Sequence, residues 1–582
     1  MFSNIFKRKT KYKDIDPEEI FLDSENLPEF NQDQFEGRIE KPLASGTLFS
    51  VSLVFILIGT LFAGRVWDLQ VAHGAAYEAK SENNSLKSTL VFANRGEILD
   101  RNGVPIVWND LNPNVNTSLS SSTSQSDSIY NFPLRMYATS TGLDTTLGYV
   151  NYPAKDNAGN YYQTDIQGAD GLEKIYDTTL SGQNGQQLTE TNALGKVVSQ
   201  SVVVPPVDGQ NLTLSIDSGI ESEMYKAMLD FADKAGYQGG AALMMDVHTG
   251  ELISMASFPM FDSNVISLHT DSSLINSYLN NKNNPFLNRP IAGLYTPGSI
   301  MKPYVALGAL TEHIIDPSKI IVSTGSISVP NPYDPTHPTI FKDWKALGPV
   351  DIRHALAMSS DVYFYEVGGG FQNPGGSYQP GLGIANIEKY MRMFGFGSTT
   401  GIRYPGEENG IISDPAWKAA NFGGEGWRLG DTYHTAIGQY GTQVTPLQAV
   451  RAVAAIANGG TLLTPTIIKP TTASQIVSKP TGVDQTALSV VQQGMRLAVN
   501  GGIITALNVP YVAVSAKSGT AQVGIGNSHV NSWITGFFPS DHPRYAFAIV
   551  MQAGVANNEV GASLIMREVL DWMEANRPGY FQ

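Results

Sequence analysis

A serine and a lysine three residues apart, Ser299 and Lys302, lie in the run Y-T-P-G-S-I-M-K-P at Tyr295–Pro303. The serine follows a Pro-Gly turn, and an apolar, helix-compatible segment, Tyr304–Leu310, follows the lysine. Positions i and i+3 of a helix share a face, so hydroxyl and amine would point the same way. That arrangement suits an alcohol nucleophile and its base. The alcohol is a poor nucleophile at neutral pH until something takes its proton. An amine can do so when burial or a second cation disfavours its charged form. The helix start adds backbone N–H groups for a developing anion, and Pro303 is close enough to that start to be tolerated. A Ser-x-x-Lys pair is common by chance, so its meaning rests on what accompanies it.

Two polar segments further along are candidates for that company. Met358–Tyr365 reads M-S-S-D-V-Y-F-Y, with Ser359 and Asp361 two apart after a helical segment, Val350–Ala357. Taken alone, it is a helix cap or turn. Ser515–Gln522 reads S-A-K-S-G-T-A-Q, where an apolar strand, Tyr511–Lys517, runs into Ser518, Gly519 and Thr520. Glycine on a strand lets another backbone or a ligand come close. The Lys517 charge and the two hydroxyls could hold a carboxylate, although Lys-Ser-Gly alone is ordinary loop sequence.

The elements that must position these groups follow from the rest of the chain. Its 582 residues exceed one ordinary domain, and 42% hydrophobic against 16% charged residues can build a large core. A net charge of −15 argues against nucleic acid as a partner. Without cysteine there is no thiol chemistry, disulfide or Cys-ligated zinc. Residues 1–42, with a basic cluster and then acidic residues, read as a disordered cytoplasmic tail. Residues 43–65 begin with 21 uncharged residues, enough for a transmembrane helix. Arg38, Lys41 and the earlier basic cluster put the N-terminus in the cytoplasm and the remainder outside. Val66–Val91 reads as a polar helical stalk. Arg95, Glu97, Asp100 and Arg101 read as a salt-bridged buckle rather than a reactive site, since no nucleophile accompanies them. Asn109–Ser128 is a Ser/Thr/Asn-rich loop, and Gly168–Gly182 carries an amphipathic helical pattern. Pro205-Pro206 mark a hinge, dividing residues 66–210 from 211–582. Beyond it come a strand and helix at Leu212–Ile216 and Gly219–Ala235, a hairpin at Gly240–Ala256, a strand at Tyr545–Met551 and a C-terminal helix with Ile565, Val569, Trp572 and Met573 on one face.

Ser299-x-x-Lys302, Ser359-x-Asp361 and Lys517-Ser518-Gly519 together resemble, in order and spacing, the penicillin-recognising serine acyl-transferases. R-G-E-I-L-D-R-N-G at Arg95–Gly103 and G-L-E-K-I-Y-D at Gly171–Asp177 resemble the linker and pedestal of class B, monofunctional penicillin-binding proteins. Asp246–Pro259, Gly438–Gln448 and Ala457–Gly460 resemble their transpeptidase domain. Asp361, where most members carry Asn, leans toward the elongation-type, penicillin-binding-protein-2-like branch.

The resemblance implies an α+β chain: a transmembrane helix, an elongated pedestal, and an antiparallel sheet flanked by helices with an all-helical lobe, as in serine β-lactamases. It implies a D,D-transpeptidase that cross-links peptidoglycan stem peptides and is acylated by β-lactams. Ser299 would attack, Lys302 take the proton, Ser359 relay it and Asp361 orient the relay. Ser299 and Thr520 N–H groups would form the oxyanion hole, while Lys517, Ser518 and Thr520 hold the substrate carboxylate beside Gly519. A D,D-carboxypeptidase or a β-lactamase would use the same site. No cofactor is implied, and without cysteine no zinc is expected. The chain would sit in the bacterial inner membrane, single-pass, with a separate SEDS-family glycan polymerase among its partners. The short interval between Gly103 and Gly171 lacks the larger head on which the family's other partners dock.

Overall fold

The computed structural model describes residues 44–78, 86–110, 132–139, 141–191, 197–331, 334, 336–372, 377–556 and 561–582. The expected tail at 1–42 and most of the loop at 109–128 lie outside them. The chain divides into two compact units, one within residues 1–87 and 190–198, the other within 88–189 and 199–582.

In the first unit, helix α1 spans Ser45–Trp67 and buries none of its residues. Phe49, Phe55 and Leu61 are each about two-thirds exposed. A helix apolar all round that buries nothing in protein is made for lipid. At ~1.5 Å per residue it is ~34 Å long, matching a ~30 Å hydrocarbon layer. Among the described residues it is the one helix long and apolar enough to cross a membrane. The expected helical stalk is helical at residues 66–72, through a π-turn at Asp68–Ala72, and at 74–78, and it is corrected beyond: Leu86–Val91, mostly in the second unit, is a strand.

In the second unit, strands Ile98–Leu99, Pro105–Asp110, Leu134–Tyr137 and Leu212–Thr213 form one small sheet. The amphipathic stretch after Gly168 makes two short helices, Gly171–Ile175 and Asp177–Leu180, instead of one. The salt-bridged buckle is present, with partners its own sequence did not name. Buried Glu173 accepts from Arg95 Nε at 2.5 Å and Arg135 Nε at 2.7 Å, and Arg95 also pairs with Asp177 at 2.8 Å. Asp100 instead accepts the Asn102 and Val104 N–H groups, shaping the Asn102-Gly103 turn.

Beyond this, helix α2 (Ser218–Ala235) begins at Asp217, whose carboxylate accepts the Gly219 and Ile220 N–H groups. Strands β1 (Gly239–Asp246) and β2 (Leu252–Phe258) form the expected hairpin. They join β3 (Ser515–Val523), β4 (His529–Phe538) and β5 (Tyr545–Val555) in an antiparallel sheet of order β2-β1-β5-β4-β3. Every residue of β1 is buried, because both faces of the sheet are covered. Ala242 and Met244 face a core shared with Met224 and Met228 of α2 and Ile565, Val569 and Met573 of α9 (Ser563–Asn576). Ala241, Leu243 and Met245 face the opposite core. That alternation follows from the two-residue period of a strand.

The second core belongs to the helical lobe: α3 (Lys302–Thr311), α4 (Ile352–Ala357), α5 (Asp361–Gly369), α6 (Leu429–Ala436), α7 (Pro446–Ala457) and α8 (Gln485–Asn500). Helix α7 starts on a capping box between Thr445 and Gln448. Helix α3 is buried from Lys302 to Leu310, so the lysine at its start is fixed by packing on all sides.

Candidate active site

Ser299 sits in a 3-10 turn, Gly298–Met301, that runs directly into α3. The Lys302 N–H donates to the Ser299 carbonyl, so the two side chains are one turn apart. Pro303 falls in the first turn of α3, where its missing N–H has no helical partner to lose. Ser299 is half-buried and open to solvent, whereas Lys302 is fully buried. Gly298, at φ +57, donates its N–H to the Gly438 carbonyl at 2.9 Å, which anchors the turn from the side of α6.

Lys302 Nζ reaches across to the segment after α4. It donates to the Ser359 carbonyl at 2.7 Å, to Ser359 Oγ at 3.3 Å and to Asp361 Oδ1 at 2.6 Å. Lys517 Nζ approaches Ser359 from the sheet and donates to its Oγ at 2.8 Å and to the Ser518 carbonyl at 2.8 Å. The Ser359 hydroxyl therefore lies between two buried amines. Burial pushes the Lys517 ammonium well below the usual lysine range; the nearby Lys302 charge adds to this and Asp361 opposes it.

The local sequence explains why Ser359 is free for this. Its neighbour Ser360 is the cap of α5, accepting the Tyr363 N–H, so neither Ser359 nor Asp361 is the capping group. Ser360 Oγ also donates to Asp343 Oδ2 at 2.7 Å, which accepts the Val362 N–H as well. Ser359 itself is held at φ +56, in the left-handed region that few non-glycine residues occupy. Such backbone strain concentrates at functional positions.

Strand β3 is the sheet's last strand, and it starts at Ser515; Tyr511–Val514, expected as strand, makes no ladder. Lys517, Gly519 and Ala521 point inward, while Ser518 and Thr520 share the outer face. Gly519 lies against the Ser299 turn so closely that a Cβ on it would meet the Pro297 carbonyl oxygen at 2.8 Å. A Cβ on Gly298 would meet the Thr520 carbonyl oxygen at 3.0 Å. All eight sequence-predicted residues thus belong to three segments that meet around Ser359 and the Ser299 turn. Sequence reasoning missed Asp343, and also Trp344, whose indole N–H donates to the Met358 carbonyl at 3.0 Å. Neither carries a local signal, since their partners lie 14 to 19 residues on.

Comparison with known proteins identifies the family. Residues 240–571 match the penicillin binding protein transpeptidase domain, and 128–214 the penicillin-binding protein dimerisation domain. The peptidoglycan D,D-transpeptidase MrdA of Salmonella typhimurium is 27% identical over 91% of this chain and 96% of its own length. The stage V sporulation protein D of Bacillus subtilis is also 27% identical, over 87% of this chain and 80% of its own. Among solved structures, the complex between penicillin-binding protein PBP2 and MreC from Helicobacter pylori aligns with a TM-score of 0.66 at 27% identity, covering 85% of this chain and all of that one. Pseudomonas aeruginosa PBP2 in complex with WCK 5153 aligns at 0.62 and 26% identity, over 84% and 98%. With a family match spanning more than half its length and the family's three polar segments gathered around one buried hydroxyl, the chain belongs to the penicillin-binding protein transpeptidases.

Proposed function

We propose that this protein is a membrane-anchored peptidoglycan D,D-transpeptidase that works through an acyl-enzyme on Ser299. The observation that carries the reading is the Ser359 hydroxyl bridging the Lys302 and Lys517 amines at 3.3 and 2.8 Å, with Lys302 one turn from a solvent-open Ser299. Ser299 Oγ attacks the carbonyl of the substrate's D-Ala–D-Ala bond as Lys302, in its neutral amine form, accepts its proton. Backbone N–H groups of Ser299 and Thr520 stabilise the oxyanion. The proton passes through Ser359 to the departing amine, the C–N bond breaks, and D-Ala leaves. Asp361, 2.6 Å from Lys302 Nζ, fixes that amine's position. Lys517, with the Ser518 and Thr520 hydroxyls on the outer face of β3, holds the terminal carboxylate. An amine from a second stem peptide then attacks the ester, forms the cross-link and returns the proton to Ser299. A β-lactam acylates the same serine and stays.

The charge asymmetry around α1 supports an N-terminus in the cytoplasm of a bacterial cell and a reacting domain outside. Residues 66–210 would serve as pedestal and 211–582 as the transpeptidase body. A PBP2 relative is solved with MreC, which supports docking to other cell-wall synthesis proteins, and a SEDS-family glycan polymerase would supply the strands. The test is labelling of the full chain in detergent with a fluorescent penicillin. Wild-type protein takes the label covalently and the Ser299→Ala protein does not; equal labelling of both overturns the assignment.

A further inference from the structure

Four aromatic rings cluster beside the turn that carries Ser299. Tyr440 is at the centre. Phe422 stacks on it at 6.0 Å between centroids and 7° between planes, and Trp417 and Trp427 meet it edge-on at 5.4 and 5.8 Å. Phe422 is 46% exposed and the other three are half-buried, so the rings are not core. Contiguous exposed aromatic surface marks a binding site more often than chance.

Two features tie the cluster to the reacting serine. Tyr440 is held at φ +73, a left-handed conformation that costs a non-glycine residue ~1–3 kcal/mol. The segment bearing that strain is the one that grips the Ser299 turn: a Cβ on Gly438 would lie 2.1 Å from the Gly298 carbonyl oxygen. On the other side, a Cβ on Gly441 would lie 2.0 Å from the Trp417 ring, so the ring lies against bare backbone. The rim of the cluster is charged. Arg428 pairs with Glu425 at 3.2 Å on the surface, while Lys418, buried beneath, lies 2.5 Å from Asp431 Oδ2.

Flat rings edged by charged hydrogen-bonding groups fit a ligand with one apolar face and a polar perimeter. A pyranose ring is such a ligand, presenting C–H bonds to the rings and hydroxyl or amide groups to the charges. A lipid tail or an apolar helix would strip water from the exposed Arg428–Glu425 pair without offering it hydrogen bonds in return. We propose that Trp417, Phe422, Trp427 and Tyr440 form a saccharide-stacking subsite, on which an N-acetylated sugar ring of the glycan strand rests while its stem peptide reaches Ser299. The proposal rests on the transpeptidase reading and names where that substrate's sugar is held.

Binding is tested on the full chain in detergent, carrying Ser299→Ala, by titrating a peptide-free oligosaccharide of N-acetylated amino sugars and following tryptophan fluorescence. Saturable quenching is expected, with affinity at least fivefold weaker when Phe422→Ala is added. Absence of quenching, or equal affinity in both proteins, overturns the proposal. Cross-linking is then compared for the Phe422→Ala protein with an intact serine. The loss with glycan-borne peptide should exceed the loss with sugar-free pentapeptide at least tenfold, whereas equal losses overturn the subsite. Circular dichroism reports that the Ser299→Ala proteins are folded, and penicillin labelling reports the same for the Phe422→Ala protein with an intact serine. A wild-type protein that binds the oligosaccharide yet cross-links nothing sinks the transpeptidase reading and leaves the sugar site standing.

Discussion

Gly519→Ala is the substitution whose effect the geometry specifies most closely. An added methyl would sit 2.8 Å from the Pro297 carbonyl oxygen, 3.0 Å from Ile300 Cγ2 and 3.2 Å from the Ile300 nitrogen. Two of these three atoms are backbone of the turn that carries Ser299, so they cannot rotate away. Strand β3 and the turn must separate by roughly half an ångström to restore ordinary contact distances. Overpacking of this kind costs ~1–3 kcal/mol of stability. The larger consequence is kinetic. On the proposed mechanism the separation draws the Thr520 N–H away from that of Ser299, and losing one oxyanion donor costs ~2.7–4 kcal/mol, or about 10²–10³ in rate. The assay is the second-order rate of acylation by a fluorescent penicillin, run beside thermal unfolding of the same sample. Acylation should slow ~10²-fold or more while the melting temperature falls by only a few degrees. An alanine variant that acylates within about threefold of wild type would refute the argument, because the strand could not then be supporting the turn.

Other substitutions test other parts of the account. Ser359→Ala removes the hydroxyl between the two amines, and penicillin acylation should slow ~10²-fold or more, the usual scale of positioned proton transfer, with the fold retained by circular dichroism. Glu173→Gln leaves Arg95 and Arg135 buried beside a neutral partner; breaking such a network costs ~3–5 kcal/mol and should appear as a large drop in melting temperature. Glu221, buried in α2, has its carboxyl pushed up to about 8 by desolvation, so the folded state binds a proton that the unfolded state has released. Its contribution to stability is full below the ordinary glutamate range and fades as pH rises to about 8. Glu221→Gln should therefore flatten the loss of melting temperature between mildly acidic pH and pH 8; an unchanged slope would show that another group is responsible.

Much of this was legible in the sequence because the informative patterns are local. The 21 uncharged residues, the His248-Thr249-Gly250 turn between the two runs of the β1–β2 hairpin and the Ser-x-x-Lys spacing each lie within one element or two adjacent ones. What escaped depends on distant partners. Tyr511–Val514 has the apolar character of a strand, but the ladder opens only at Ser515, where Phe537 lies opposite. Leu86–Val91 reads as the end of a helical stalk continuing from Val66, yet it is extended. Among Ser359, Ser360 and Asp361 the sequence offers three equivalent caps. Asp343, sixteen residues before Ser359, selects Ser360 and so decides which serine is left for chemistry. Arg135 gives no hint of its place beside Glu173, since its sequence neighbours are apolar.

The left-handed backbone at Ser359 carries a consequence for how the protein would age when warmed. That conformation is held by the Lys302 and Lys517 bonds to Ser359 and by the grip of Asp343 on Ser360 and the first turn of α5. Once that grip slackens, the backbone relaxes toward an ordinary conformation and swings the hydroxyl out from between the lysines. Heat would then silence the protein reversibly, before the sheet melts, and cooling would bring it back.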